Sequence, residues 1–355
     1  MSGFGHQAAA AGNAKGVSML HHRKSRWYSL SVVVMLLVSA CGLQTGGSES
    51  DSESGSFQPS STEFVVHTGP GGGSDLFVRD LIEMMRQEEI ISENWPVRNE
   101  EAGEGAGAMS YLMSKSGETD TISAMTTTWL TTPLTIEGAS VTVEDLTPIA
   151  GLIIEPEVMA VLSDSPYRSL KDFVEAAKEQ PGELIQVGGS TTEVGALNGA
   201  TLQAEAGTDW QFLSFEEVGQ RIAALLNGDA DMMFGAVSDF ASQVKAGKLE
   251  VIATISPEPS PVYPDAPTTK DQGFQSELVP QVRGIMGPPE MPQEAVEYYQ
   301  GVFEELLQTD SWKSYAEKNG LVTELRLGDE WGDFLGQENE VVKQKLEEVD
   351  LLKNS

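Results

Sequence analysis

His67-Thr68-Gly69-Pro70-Gly71-Gly72-Gly73-Ser74-Asp75 is the stretch on which the reading of this chain turns. It follows directly on the short apolar run Phe64-Val65-Val66. Beyond it, Phe77/Leu81/Met84 and Val78/Ile82/Met85 recur at i, i+4, i+7, which predicts a helix with a broad apolar face from near Ser74. A strand that passes through glycines into a helix start makes an anion cradle. Unpaired N–H groups and the positive end of the helix dipole converge there, and glycine lets a ligand approach the backbone. Thr68, Gly69, Gly71, Gly72, Gly73 and Ser74 are therefore candidate contacts, although the same residues also read as a plain flexible turn. Asp75 reads either as a contact or as an acidic residue facing the dipole of its own helix.

Working outward, similar junctions recur. Asn99 to Gly107 opens a helix through Met109, Leu112 and Met113, with three glutamates among its glycines. Thr121 to Met125 reads as a strand whose end carries Thr126, Thr127 and Thr128, hydroxyls suited equally to a ligand or to capping. Ser169-Leu170-Lys171-Asp172 is a capping box for a helix that Pro181-Gly182 ends. The strand Leu184–Val187 then meets Gly188-Gly189-Ser190-Thr191-Thr192 and a helix from about Glu193 to Ala206, so Ser190, Thr191 and Thr192 join the candidates. A helix over Val218–Leu226 precedes the buried strand Met232-Met233-Phe234, and Gly235 to Asp239 forms a third junction with Ser238 and Asp239. A strand over Leu249–Ile255, a proline-rich loop over Pro257–Pro267 and a strand near Val282–Met286 follow, and the remainder reads as mostly helix.

Composition narrows the chemistry. With 355 residues, two domains are the expectation. A net charge of −32 repels phosphates, so a nucleic-acid partner is excluded from the reading. Cys41 is the only cysteine, which leaves no intrachain disulfide and no cysteine-based zinc site. His6, His21 and His22 lie in a leader-like segment, so a hydrolytic triad has only His67 for its base. Gly188-Gly189-Ser190-Thr191-Thr192 lacks the closing glycine of a nucleophile elbow, and neither glycine-rich stretch ends in Gly-Lys-Ser/Thr. Neither an enzyme signature nor a metal or cofactor motif emerges.

The first forty residues read as an address. A basic stretch from His21 to Arg26 precedes the apolar run Leu30–Val38 and then Ser39-Ala40-Cys41, the grammar of a secretory signal peptide and too short to span a bilayer. A start at Met19 would give a conventional basic region. Val38-Ser39-Ala40-Cys41 resembles a bacterial lipobox, which implies lipidation of Cys41. Residues 41–62, rich in Gly, Ser and acids, read as a flexible tether.

The run from His67 to Asp75, with Arg79 in the next helix, resembles the opening of TctC-type solute-binding proteins, the Bug receptors of tripartite tricarboxylate transporters. Later stretches fall in the family's order: Asp145 to Ala150, Ser165 to Leu170, Leu225 to Asp231, Ala246 to Leu249, Tyr263 to Thr268 and Gly284 to Pro289. The resemblance covers residues 63–345. It implies an α/β, two-lobed type II periplasmic-binding-protein fold with a ligand cleft between the lobes. Residues 63–160 plus 282–355 would form lobe 1, and residues 161–281 lobe 2. It further implies that backbone amides, hydroxyls and waters hold a ligand carboxylate. By position the contacts are Thr68, Gly69, Gly71, Gly72, Gly73 and Asp75 from one lobe, and Ser190, Thr191, Thr192, Ser238 and Asp239 from the other.

The expected function is a non-enzymatic, lipid-anchored receptor on the outer face of the cell membrane, or in the periplasm. It would capture a small organic acid and deliver it to the transporter's permease. The alternatives are a receptor reporting to a membrane sensor kinase and a lipoprotein hydrolase. One departure bears on the ligand. Where the family commonly carries Asn-x-Pro-Gly-Ala-Gly-Gly, this chain has Asn99-Glu100-Glu101-Ala102-Gly103-Glu104-Gly105. The added acid points away from a multiply charged substrate such as citrate, toward a monocarboxylate or a ligand with its own positive charge.

Overall fold

The computed structural model describes residues 57–256 and 258–353. The expected leader, Cys41 and the tether as far as residue 56 lie outside the described residues, as does Pro257. Residues 57–62, expected to belong to the tether, are part of the folded body. Phe57 packs edge-on against Tyr298, Thr62 is fully buried with its hydroxyl 3.1 Å from the Tyr299 hydroxyl, and the Thr62 N–H donates to the Asn94 carbonyl. One aromatic ring and a paired backbone are enough to dock a segment whose composition otherwise reads as linker.

In chain order the first elements are β1 (Glu63–Val66), α1 (Gly73–Gln87), β2 (Val97–Asn99), α2 (Ala106–Met113), β3 (Thr121–Thr126), α3 (Thr128–Thr135) and β4 (Thr147–Glu155). Next come β5 (Glu157–Leu162), α4 (Leu170–Glu179), β6 (Ile185–Gly188), α5 (Val194–Ala206), β7 (Gln211–Ser214), α6 (Val218–Asn227), β8 (Met232–Ala236), α7 (Val237–Lys245) and β9 (Leu249–Ile255). The chain ends with β10 (Gln281–Gly287), α8 (Gln293–Gln308), α9 (Asp310–Asn319), β11 (Val322–Leu327) and α10 (Asp329–Glu348).

Two sheets result, one ordered β11-β4-β10-β3-β1-β2 and the other β7-β6-β8-β5-β9. Each contains a parallel trio built the same way. β1 pairs in parallel with β2 on one side and β3 on the other, and β6 does so with β7 and β8. In both trios the chain steps from the central strand to one neighbour and then crosses to pair on its other side, so the strand order reverses at the central strand, and ligands of open α/β sheets bind beyond the carboxyl ends at such a reversal. An antiparallel strand completes each trio: β10 against β3, and β5 against β8.

The chain passes from sheet to sheet twice, at Pro156 between β4 and β5, and again between β9 and β10. β5 pairs entirely within the second sheet, so the crossing precedes the division expected after residue 160, which would cut that strand. Strand alternation fills both faces of each sheet. Phe64 and Val66 enter one core while Val65 enters the opposite one, and Met159 and Val161 face away from Val158 and Ala160 in the same manner. The result is an α/β, two-lobed periplasmic-binding-protein fold. Among the described residues, no helix is long and apolar enough to cross a membrane.

Candidate functional site

The carboxyl ends of β1, β3, β6 and β8 face a cavity of about 460 Å³. His67, Thr68, Gly73 and Ser74 from the β1–α1 turn and Thr126 and Thr128 from the β3–α3 turn line it on one side. Gly189, Ser190 and Glu193 from the β6–α5 turn, with Gly235, Ala236, Ser238 and Asp239 around the β8–α7 turn, line the other. Glu155, Glu157, Gln281 and Arg283, all at or next to the two crossings, contribute from between the sheets.

The β1–α1 turn is shaped by its own hydrogen bonds. Gly71 takes a φ of 85°, a left-handed conformation that suits glycine. The Gly71 N–H donates to Asp75 Oδ2 at 2.9 Å and the Gly72 N–H to the Gly69 carbonyl, while the Asp75 N–H donates to Thr68 Oγ1 at 3.2 Å. The amides of Gly73 and Ser74 have no acceptor among the described residues, and both residues line the cavity. They are the open donors of the α1 N-terminus.

Seven of the sequence candidates therefore line the cavity: Thr68, Gly73, Ser74, Thr126, Ser190, Ser238 and Asp239. The other seven do not. Gly69, Gly71 and Gly72 build the turn behind Gly73. The Asp75 carboxylate is taken up by Arg79 at 2.8 Å, the Asn99 amide at 3.0 Å and the Gly71 N–H, so it holds the turn together. The Thr127 hydroxyl donates to the Pro280 carbonyl and accepts from the Val282 N–H, both at 2.9 Å, which fastens β10 as it enters the first sheet. Thr192 is buried and ties the β6–α5 turn to α3: its carbonyl accepts from the Thr131 hydroxyl and its own hydroxyl lies 3.3 Å from Thr132 Oγ1. Thr191 is exposed.

Charged side chains dominate what the sequence did not bring together. Eight carboxylates line the cavity, from Asp80, Glu101, Glu104, Glu155, Glu157, Glu193, Glu216 and Asp239, against three cations from Arg221, Arg283 and Lys318. Arg283 grips Glu155 at 2.7 Å, and Arg221 lies 3.7 Å from Glu193. Two turns also carry their own anion, because the Gly189 N–H donates to Glu193 Oε1 at 2.6 Å and the Ala236 N–H donates to Asp239 Oδ2 at 3.2 Å. The visible signal for the crossing was Ile153-Ile154-Glu155-Pro156-Glu157-Val158, two acids breaking an otherwise apolar run.

Burial sets the protonation of this cavity. It pushes the Glu157 carboxyl up to about 8, with the negative charges of Glu193 and Glu155 adding to the effect. Burial likewise raises Asp239 to about 6, and it lowers His67 to about 4, with the Arg283 charge pushing the same way. Glu157 thus keeps its proton in the folded protein where the unfolded chain has lost it. Its contribution to stability is full below the ordinary value of 4.5 and disappears as pH rises through about 8. The depressed His67 acts in the opposite sense, and its contribution is lost as pH falls from 6.5 through about 4. Urea denaturation at pH 7 and pH 8.5 isolates Glu157: the unliganded protein is expected to lose about 1 kcal/mol more than Glu157→Gln over this interval. Equal losses in the two proteins would contradict the assignment.

The fold and its cavity define a solute receptor of the periplasmic-binding-protein class. The model of the family described as "Tripartite tricarboxylate transporter family receptor", TctC, matches residues 81–330, and the chain belongs to that family. The periplasmic binding protein BugD is similar in structure, with a TM-score of 0.74 at 19% identity over 82% of this chain and 98% of BugD. MatC from Rhodopseudomonas palustris, solved with bound malate, gives a TM-score of 0.69 at 17% identity over 82% of this chain and 99% of MatC. In sequence, a UPF0065 protein encoded in a tcbD-tcbE intergenic region of Pseudomonas sp. strain P51 is 25% identical over 240 residues, 66% of this chain and 70% of that protein. Members of the family are extracytoplasmic solute-binding proteins rather than enzymes, and this chain is one of them.

Proposed function

We propose that this protein is a lipid-anchored receptor that captures a small organic acid outside the cytoplasm and passes it to the permease of a tripartite tricarboxylate transporter. The observation that carries the reading is the pair of unpaired amides, Gly73 and Ser74, at the start of α1. They line a cavity that equivalent turns from both sheets enclose. Free N–H groups at a helix start suit a carboxylate. Malate in MatC is a ligand of that kind. In this reading Thr68, Gly73, Ser74 and Thr126 contact the solute from the first lobe and Ser190, Ser238 and Asp239 from the second, while Gly69, Gly71, Gly72, Asp75, Thr127, Thr191 and Thr192 shape the turns. Closure of the lobes about the two crossings would exclude water from the bound acid.

Thermal unfolding with mono-, di- and tricarboxylates tests the capture step. A true ligand at a hundredfold excess over its Kd adds about 2.7 kcal/mol of stability. A panel in which no acid raises the melting temperature would contradict it. The anchor rests on Cys41 and its lipobox-like context. Expressed in a bacterium, the protein is expected to partition with detergent and Cys41→Ser with the aqueous phase. Identical partitioning would argue against lipidation.

A further inference from the structure

We infer that the cavity is built for a solute carrying an ammonium group as well as a carboxylate, and that Glu157 receives the ammonium. This rests on the receptor reading above and concerns only the second end of the solute.

The balance of unpartnered polar atoms leads to it. Glu157 is 9% exposed, lines the cavity, and its Oε2 has no hydrogen-bond partner among the described residues. Glu104 Oε2 and Gln281 Oε1, on the same cavity, are also unpartnered. All three are acceptors once the carboxyls are ionised, and a buried acceptor left unmet is costly. The open donors include the Gly73 and Ser74 amides, the Ser238 amide and the Arg221 Nε. One solute satisfies both sets only if it presents an acceptor at one end and a donor-rich group at the other.

The charges agree. Two of the three lining cations already serve acids of the same cavity, Arg283 with Glu155 and Arg221 with Glu193, and Lys318 is exposed. The groups that act on Glu157 include Glu155 from β4, Glu193 and Asn198 from the start and body of α5, and Asp239 from α7. A second carboxylate there would add to the negative field that these acids set at Glu157, whereas an ammonium would relieve it. Glu157 holds its proton near neutrality in the unliganded protein. As the ammonium docks, the Glu157 O–H bond breaks, its proton passes to solvent, and the carboxylate accepts an N–H from the solute. The opposite arrangement, in which a protonated Glu157 donates to a solute carboxylate, would conserve or take up protons.

The test is calorimetric titration of the whole protein with matched pairs: propionate and β-alanine, butyrate and 4-aminobutyrate, succinate and aspartate. Each titration is repeated in two buffers of different ionisation enthalpy to count protons. In at least one pair the amino member is expected to bind at least tenfold tighter, with net proton release near pH 7, and Glu157→Gln is expected to erase that preference. Should Glu157→Gln fail to fold, the pair comparison and proton count on the unaltered protein still decide. Plain acids binding as tightly as their amino partners, or with proton uptake, would overturn the inference and leave the receptor reading standing. No binding by any of the six compounds would overturn the inference, and the receptor reading falls with it only if the full carboxylate panel is also without effect.

Discussion

Replacing Trp331 with alanine is expected to lower the unfolding free energy by about 3–5 kcal/mol, the range for a large aromatic removed from a packed core. Trp331 begins α10, is 1% exposed, and stacks on Phe334 with ring centroids 5.6 Å apart. It lies against the first sheet where Gly151 of β4 and Gly284 of β10 sit side by side; a Cβ on either would overlap the indole. The two glycines form a slot that only this ring fills. With the ring gone, the neighbours have no side chains with which to collapse, so the loss belongs in the upper part of the range. Leu335, Val342 and Leu346 further along α10 share the same core and lose its anchoring end. Urea unfolding followed by circular dichroism measures the effect. A loss below about 1 kcal/mol would mean that α10 is held by its other contacts.

Arg283→Met is expected to cost a similar amount for an electrostatic reason. Arg283 and Glu155 are 8% and 7% exposed; the Nε of Arg283 donates to Glu155 Oε2 at 2.8 Å, and the Nη2 lies 2.7 Å from the same oxygen as an ion pair. Removing one partner of a buried pair strands the other charge, at about 3–5 kcal/mol. The stranded Glu155 would lie close to Glu157, which already bears its negative field. Arg283→Met combined with Glu155→Gln is therefore expected to regain at least half of the lost stability. Arg283 also lines the cavity, and its Nη2 lies 3.6 Å from where a Cβ on Gly73 would sit, beside the open amides. Both variants are expected to bind carboxylates up to about tenfold more weakly, because the positive potential of Arg283 beside those amides is lost even though its own hydrogen bond goes to Glu155. Recovery of stability without recovery of affinity separates the two roles; recovery of neither in the double variant would contradict them.

The elements that sequence made legible are those with a strong local period. The helical spacing from Phe77 to Met85, the capping box at Ser169 and the apolar runs at Phe64, Ile185 and Met232 all lie in elements of the matching type. Legibility failed where tertiary context carries the information. β4 and β5 meet at Glu155-Pro156-Glu157, where charge and proline interrupt the apolar pattern that marks a buried strand. β11 is an edge strand with Thr323, Glu324 and Arg326, so it lacks that pattern too. α3 begins within a threonine run and contains Pro133, residues of poor helix propensity that burial on all sides overrides.

The site divides along the same line. Turns that follow a single strand announce themselves by glycine and hydroxyl residues, so Thr68, Gly73, Ser74, Ser190 and Ser238 were readable. Glu157, Gln281, Arg283 and Arg221 gain meaning only when two crossings and a helix bring them to one cavity. No spacing along the chain encodes that meeting. The matched construction of β1–β3 and β6–β8 was equally silent, because the two trios share connectivity without a repeated motif.

Hydrogen–deuterium exchange with and without the tightest-binding acid from the thermal panel tests the central claim, that one solute is held at once by turns from both sheets. At saturation, amides in residues 68–76 and in residues 189–195 are expected to exchange more slowly together. Protection confined to one of these turns, or to neither, while calorimetry registers a bound solute, would contradict it.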